Sequence, residues 1–158
     1  MPRLPAPPPI RIHWMTLSLL VTFVLSAFIG AAPASAANTD FYVDCAAGSA
    51  GNGSSGSPWN SLAGVNQKAG GYGPGDRILF KRGTACTGQL APSGSGSSTS
   101  PIVVDAYGSG DAPVIAGGGS AQSVLLSDQD HWTLQNLQIT NTAGSEADRN
   151  GIVVRVTD

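Results

Sequence analysis

Carboxylates, one histidine and two arginines in the last third of the chain are the residues best suited to chemistry. Carboxylates and histidine transfer protons, and arginine neutralises anionic groups. These candidates are Asp128, Asp130, His131, Glu146, Asp148, Arg149 and Arg155. They lie at a predicted corner, in a polar loop and on a final strand, where charged side chains are also typical of a solvated surface. We therefore assign no catalytic, cofactor-binding or metal-binding residue from the sequence.

Two further features lie in a Gly/Ser/Asn-rich loop over residues 46–56 and just before it. Asp44 and Asn52 supply oxygen atoms that a calcium loop could use, but such a loop needs more carboxylates. Asn52-Gly53-Ser54 matches an N-glycosylation acceptor, a three-residue pattern that chance produces often. Neither feature predicts a site by itself.

Residues 1–36 predict a secretory signal peptide. Two arginines precede an uncharged, apolar or small run over 15–32, and an Ala-x-Ala cleavage signal ends at Ala36. An uncleaved membrane anchor is the alternative, but the run contains Ser, Thr and Gly and lacks a basic flank after it. We expect cleavage between Ala36 and Ala37, a secreted protein, and no stable membrane association after cleavage.

The composition limits the function classes. Of 158 residues only 11% are charged and the formal net charge is −2, whereas ordinary domains carry roughly 25% charged residues. A nucleic-acid binder would show a basic patch, so we expect no nucleic-acid partner. The two cysteines, Cys45 and Cys86, both follow the signal and are expected to form a disulfide in an oxidising compartment. Two buried thiols, or a redox pair without a C-x-x-C motif, are the alternatives.

Short apolar segments separated by Gly- and Pro-rich joints predict an all-β chain. The predicted strands are 41–44, 77–80, 88–90, 101–107, 113–115, 123–126, 132–134, 137–139 and 151–156. Ser57 and Pro58 predict the start of a short capping helix, with Trp59, Leu62 and Val65 on its apolar face.

The apolar residues change phase between Leu134 and Leu137, which predicts a sharp bend at Asn136 between two strands in different sheets. Val124 and Ile152 occupy equivalent positions on either side of these two strands. This layout is typical of one rung of a parallel solenoid. An antiparallel sandwich is the alternative, but the joints lack two-residue hairpin turns.

Several motifs together resemble the opening of pectate-lyase-like right-handed parallel β-helix proteins. They are a strand at 41–44, a Gly-rich loop, the S-P-W-N-S-L segment at 57–62, the P-G-D turn and strand at 74–80, and Gly83-Thr84. The resemblance implies an all-β, right-handed parallel β-helix. Residues 37–158 would then form its N-terminal cap and first rungs, truncated at the C-terminus.

The same resemblance implies a polysaccharide partner and two possible reactions. A lyase neutralises a uronate carboxylate with Ca²⁺ or a basic residue before a base removes a proton, so Ca²⁺ is the cofactor expected of such a full-length lyase. An inverting hydrolase needs two carboxyl groups about 6.5–9.5 Å apart. We expect the N-terminal part of a secreted polysaccharide lyase or glycoside hydrolase. The alternative is a non-catalytic carbohydrate-binding or cell-surface structural β-helix protein.

The segment alone is expected to be inactive. A solenoid rung buries its faces only against neighbouring rungs. The last predicted strand carries Ile152, Val153, Val154 and Val156, which would form an apolar edge.

The secreted protein is predicted to begin at Ala37, because signal peptidases cleave after small residues such as Ala36. Intact mass spectrometry of the exported species measures this directly. A membrane-bound product that retains residues 1–32 would contradict it.

Overall fold

The computed structural model describes residues 38–157, so the predicted signal peptide 1–36 and its cleavage site at Ala36–Ala37 lie outside the described residues. The elements in this part are nine short strands and one helix. In chain order they are β1 Asp40–Val43, α1 Leu62–Asn66, β2 Arg77–Lys81, β3 Ala85–Thr87, β4 Ile102–Tyr107, β5 Val114–Ala116, β6 Gln122–Ser127, β7 Trp132–Leu134, β8 Gln138–Thr140 and β9 Asn150–Arg155.

The strands form three sheets in which every pairing between named strands is parallel. The first sheet has the order β1-β2-β4-β7, the second β3-β5-β8, and the third β6-β9. Parallel neighbours require long connections, which here run through the other sheets. The antiparallel sandwich is therefore wrong.

The prediction of the first rungs of a right-handed parallel β-helix is also wrong for the described residues. The strands are short, three to six residues long, and form separate sheets of four, three and two strands rather than a clear β-helix. Long irregular loops occupy much of the remaining chain. The all-β part of the prediction is consistent with the structure, since the single helix among the described residues has five residues.

Two local predictions are confirmed. Val124 pairs with Ile152 in the β6–β9 ladder, a register in which partners lie 28 residues apart. Asn136 has a left-handed backbone, with φ of 57°, and separates β7 in the first sheet from β8 in the second. The bend lets Leu134 and Ile139 pack against one core although they differ in phase.

The helix start predicted at Ser57 and Pro58 is wrong. Trp59 instead forms a parallel bridge with Val43, because its N–H donates to the Tyr42 carbonyl and its own carbonyl accepts from Asp44. This extended segment covers the free edge of β1. The helix begins only at Leu62, with Ser61 in an extended conformation before it.

An aromatic cluster packs between the first sheet and its cap. The rings of Phe41 and Trp59 are stacked with centroids 5.5 Å apart, and Tyr72 meets Phe41 edge-on at 5.3 Å. Trp132 contacts Tyr72 edge-on at 6.0 Å and donates from Nε1 to the Gly94 carbonyl at 2.9 Å. The Lys68 ammonium lies over both the Phe41 and Tyr72 rings. Trp59 is thus a packing residue.

The core beneath this cluster is continuous. Its completely or nearly completely buried apolar side chains come from all three sheets and the helix: Val43, Leu62, Val65, Ile78, Phe80, Leu90, Ile102, Val104, Ile115 and Val124.

Cys45 and Cys86 are joined by a disulfide across a sequence separation of 41, which ties the end of β1 to β3. In the chain-entropy model a loop of this length stabilises the fold by about 4 kcal/mol. Among residues 38–157 no helix is long and apolar enough to cross a membrane.

Replacement of Gly94 by alanine is predicted to lower the free energy of unfolding by about 3 kcal/mol. Gly94 has φ of 113°, and an added Cβ would overlap the backbone of Tyr72. Gly108→Ala is the matched control, because Gly108 also has a positive φ of 79° but open space around the Cβ position. The control should lose about 1–2 kcal/mol from backbone strain alone. Equal losses in chemical denaturation would contradict the close approach.

Candidate functional site

The structure brings two of the predicted polar residues, Asp128 and Arg155, together at the end of the β6–β9 sheet. Asp128 follows β6 and accepts hydrogen bonds from the backbone N–H and hydroxyl of Thr157, each at 2.6 Å. Arg155 pairs with Ser127 in register and donates from Nε to its hydroxyl at 3.3 Å. This arrangement fixes the chain just after β9.

The environment of Asp128 favours its ionised form. The backbone N–H of Thr157 lowers the pKa of the Asp128 carboxyl, and the Thr157 hydroxyl lowers it further. A general acid for glycoside hydrolysis needs the opposite shift, so that it carries a proton at the working pH. Asp128 is therefore suited to holding the backbone in place and unsuited to donating a proton.

Asp130 and His131 form the corner before β7. The corner is fixed through backbone atoms: Gly96 donates to the Asp130 carbonyl and Ile102 to the His131 carbonyl, both at 2.9 Å. His131 has φ of 58°, and both side chains are exposed. This geometry agrees with the interpretation of Asp130 and His131 as a solvated turn that leads into a strand.

Glu146, Asp148 and Arg149 lie in the loop between β8 and β9. The Arg149 guanidinium donates to the Ser145 carbonyl at 2.8 Å and so closes the loop on itself. Residues 141–147 and Arg149 line an open depression of about 380 Å³. The loop's own backbone and side chains form this depression. Residues 141–149 are therefore described best as a surface loop that folds on itself.

The hypothesis that Asp44 and Asn52 belong to a calcium-binding loop is not supported. The Asp44 carboxylate contacts the Lys81 ammonium at 2.6 Å and accepts from Ala46 N–H, while the Asn52 side chain accepts from Ser54 N–H. Each oxygen thus has a local partner. Within residues 38–157 no group of three or more His, Cys, Asp or Glu side chains could hold a metal ion.

A row of polar side chains crosses the outward side of the first sheet and was missed in the sequence. Arg77 lies 3.6 Å from the Asp40 carboxylate and 4.0 Å from that of Asp105. Asp105 in turn accepts from Gln135 and Asn136, both at 2.8 Å. These residues come from β1, β2, β4 and the bend after β7, and parallel register aligns them.

Asp105 is held as a carboxylate by this row. Burial raises the pKa of its carboxyl, but hydrogen bonds from Asn136, Gln135 and the Ala106 N–H outweigh burial, and the net shift is downward. The one sequence signal for it is alternation along β4, where Val103, Asp105 and Tyr107 alternate with residues that face the core.

Two tyrosines lie beside the row on the same side of the sheet. The Tyr42 and Tyr107 rings meet edge-to-face, with centroids 5.1 Å apart. Leu79, which is the register partner of both Tyr42 and Asp105, is only 4% exposed although it points away from the core. Leu79 thus lies buried on the outward side of the sheet, next to Tyr42 in the register. We call the surface formed by Tyr42, Leu79, Lys81, Asp105 and Tyr107 the tyrosine face.

Comparison with known proteins gives a consistent result. No family model matches the chain. A lacto-N-biosidase from Bifidobacterium longum subsp. longum is 32% identical over 138 residues, which covers 70% of this chain and 9% of that protein. The crystal structure of GH136 lacto-N-biosidase from Eubacterium ramulus, as its selenomethionine derivative, matches 73% of this chain and 24% of its own, with a TM-score of 0.67 and 26% identity. The native crystal structure gives a TM-score of 0.59, 27% identity, and coverage of 68% and 21%.

These findings correct the resemblance stated from the sequence. The proteins that match in sequence and structure are lacto-N-biosidases, and the assignment to the pectate-lyase-like superfamily is wrong. The motifs at 57–62 and 74–80 describe the local start of a cap and of a strand, and they do not by themselves identify a reaction. The lyase expectation has no support, whereas a carbohydrate partner agrees with the matches. The chain spans 9% of the curated relative.

Replacement of Asp105 by asparagine is predicted to lower the free energy of unfolding at pH 7 by about 1–2 kcal/mol. The new amide would present an NH₂ group toward donors from Gln135 and Asn136 and would lose the attraction of Arg77. The folded-state pKa of Asp105 is lowered, so its stabilisation is present above the unfolded pKa and is lost as the pH falls through the folded value.

The difference between wild type and the Asp105 variant should therefore shrink below about pH 4. Asp130→Asn is the matched control, because the Asp130 side chain is exposed and accepts no hydrogen bond within the described part of the chain. A constant difference between pH 3 and 7 would contradict the assigned role.

Proposed function

We propose that this chain is the N-terminal part of a secreted glycoside hydrolase that cleaves neutral, lacto-N-biose-containing glycans. The observation that carries the proposal is the match to lacto-N-biosidases in both sequence and structure, at 70% and 73% coverage of this chain. The proposal replaces the broader lyase-or-hydrolase expectation, and it includes export through residues 1–36.

The chemistry sets limits on what this part contributes. Hydrolysis of a glycosidic bond needs one protonated carboxyl as acid and a second carboxylate as base or nucleophile. Asp105 and Asp128 are both held in the ionised form by hydrogen bonds, so neither is suited to the acid role. We place the acid in the part of the longer protein that this chain does not span. The share of the relatives covered here, 9% and 24%, is in keeping with that placement.

The role of the described residues is then structural and positional. The segment around Trp59 and the helix cover one end of the first sheet, and the core extends beneath all three sheets. In the third sheet, the edge strand β9 presents exposed apolar side chains, with Ile152 50% and Val154 67% exposed. Strands that follow in a longer protein would bury these residues by continuing the parallel ladders.

The test compares the secreted chain with the longer protein that contains it. Both are incubated with lacto-N-tetraose and with polygalacturonate, and the products are separated by chromatography with mass detection. The proposal predicts that the longer protein releases lacto-N-biose by addition of water, that neither protein forms an unsaturated uronide, and that the chain alone is inactive. Release of lacto-N-biose by the chain alone, or an unsaturated product from either protein, would contradict it.

A further inference from the structure

We propose that the tyrosine face is a binding subsite for a neutral oligosaccharide, with Tyr42 and Tyr107 as its platform. The inference rests on the proposed function, because the relation to glycan-cleaving enzymes is what makes a sugar the ligand to consider. It goes further by assigning a place on this chain and a ligand charge to the binding of the sugar.

The platform is held in place by the sheet. Tyr42 lies on β1 and Tyr107 on β4, and the strand between them carries Leu79, the buried register partner of Tyr42. The edge-to-face contact between the two tyrosine rings, with centroids 5.1 Å apart, restricts both of them. A sugar therefore meets rings that are already ordered, and little conformational entropy is lost on binding.

The chemistry of the rings suits a pyranose. The face of a tyrosine ring packs against the C–H groups of a sugar, while its hydroxyl can donate to or accept from a sugar hydroxyl. Neither the Tyr42 nor the Tyr107 hydroxyl makes a hydrogen bond within residues 38–157. Burial, together with the Asp44 carboxylate, raises the pKa of Tyr107, so its hydroxyl remains a proton donor at neutral pH.

The charges around the rings favour a neutral ligand. Lys81 is paired with Asp44 at 2.6 Å, and this contact raises the pKa of the lysine. Arg77 lies between the Asp40 and Asp105 carboxylates. Lys81 and the neighbouring Arg77 thus each already have a carboxylate partner, and an anionic uronate would have to displace one. Neutral hydroxyl groups can instead join the existing hydrogen-bond network without separating a charge pair.

The chain allows a test without any destabilising substitution, since it contains three tyrosines. Tyr42 and Tyr107 form the platform, whereas Tyr72 is 3% exposed in the core and serves as an internal control. The full chain is prepared with ¹³C-labelled tyrosine. Tyr42→Phe and Tyr107→Phe assign the two platform signals and leave the third to Tyr72, whose buried hydroxyl donates to the Val65 carbonyl and is not altered. Lacto-N-biose is the neutral probe, and trigalacturonate is the anionic comparison.

We expect lacto-N-biose to shift the Tyr42 and Tyr107 ring signals in a saturable way and to leave Tyr72 unchanged, with weaker or no response to trigalacturonate. The disaccharide is not cleaved during the titration, so failure to bind here is distinct from failure of the proposed hydrolysis. Absence of a saturable shift at both rings would overturn the proposal, as would tighter binding of trigalacturonate.

Substitution supplies the second measurement by calorimetry. Tyr107→Ala should weaken lacto-N-biose binding by at least about tenfold, equivalent to about 1.4 kcal/mol, while Tyr107→Phe keeps most of the affinity. Thr133→Ala is the matched control, because Thr133 is exposed on the same sheet in register with Val103, away from the rings. Equal affinity of Tyr107→Ala and the control, each checked for an unchanged unfolding midpoint, would overturn the proposal.

Discussion

Parallel pairing between strands far apart in sequence is the constraint on which the rest of this structure depends. Each ladder fixes which residues become neighbours across a sheet, and the first ladder aligns β1, β2, β4 and β7. On the inner side this brings Phe41, Ile78, Val104 and Leu134 into one row of the core. On the outer side the same register brings together charged, amide and aromatic side chains that the sequence keeps apart.

Local patterns in the sequence predicted those features that local geometry decides. A change of apolar phase predicted the bend at Asn136, because a strand cannot expose its apolar side without cost. The layout of the strands between Val124 and Ile152 placed these residues at equivalent positions, and they pair in the β6–β9 ladder. Trp59 shows the limit: Ser57 and Pro58 favour a helix start locally, but stacking on Phe41 and bonding to β1 place this segment in an extended conformation.

The row of polar side chains on the outward side of the first sheet could not be predicted from the sequence. The register between strands decides which residues belong to it, and no regular spacing along a single strand identifies them. In the sequence, Asp105 interrupts an apolar strand without an evident reason. In the structure, Arg77 and Asn136 lie beside its carboxylate. No catalytic role was assigned to the charged residues from the sequence, and they were interpreted as turn and loop residues. Asp128 is positioned by Thr157 as a backbone clamp, which agrees with the reading of the charged residues as turn and loop structure. The opening motifs described a local shape, and the longer matches to lacto-N-biosidases corrected what that shape implied.

The central claim is that the parallel register of β1, β2 and β4 places Tyr42 and Tyr107 together on the outer side of the first sheet as an ordered platform for a sugar. The inner side of the same sheet stabilises the fold. A crystal structure of the secreted protein soaked with a neutral oligosaccharide tests it most directly. The account predicts electron density for a sugar ring packed against Tyr42 and Tyr107, with the Lys81–Asp44 and Arg77–Asp105 pairs intact. A sugar bound elsewhere while the tyrosine face remains covered only by water would contradict it.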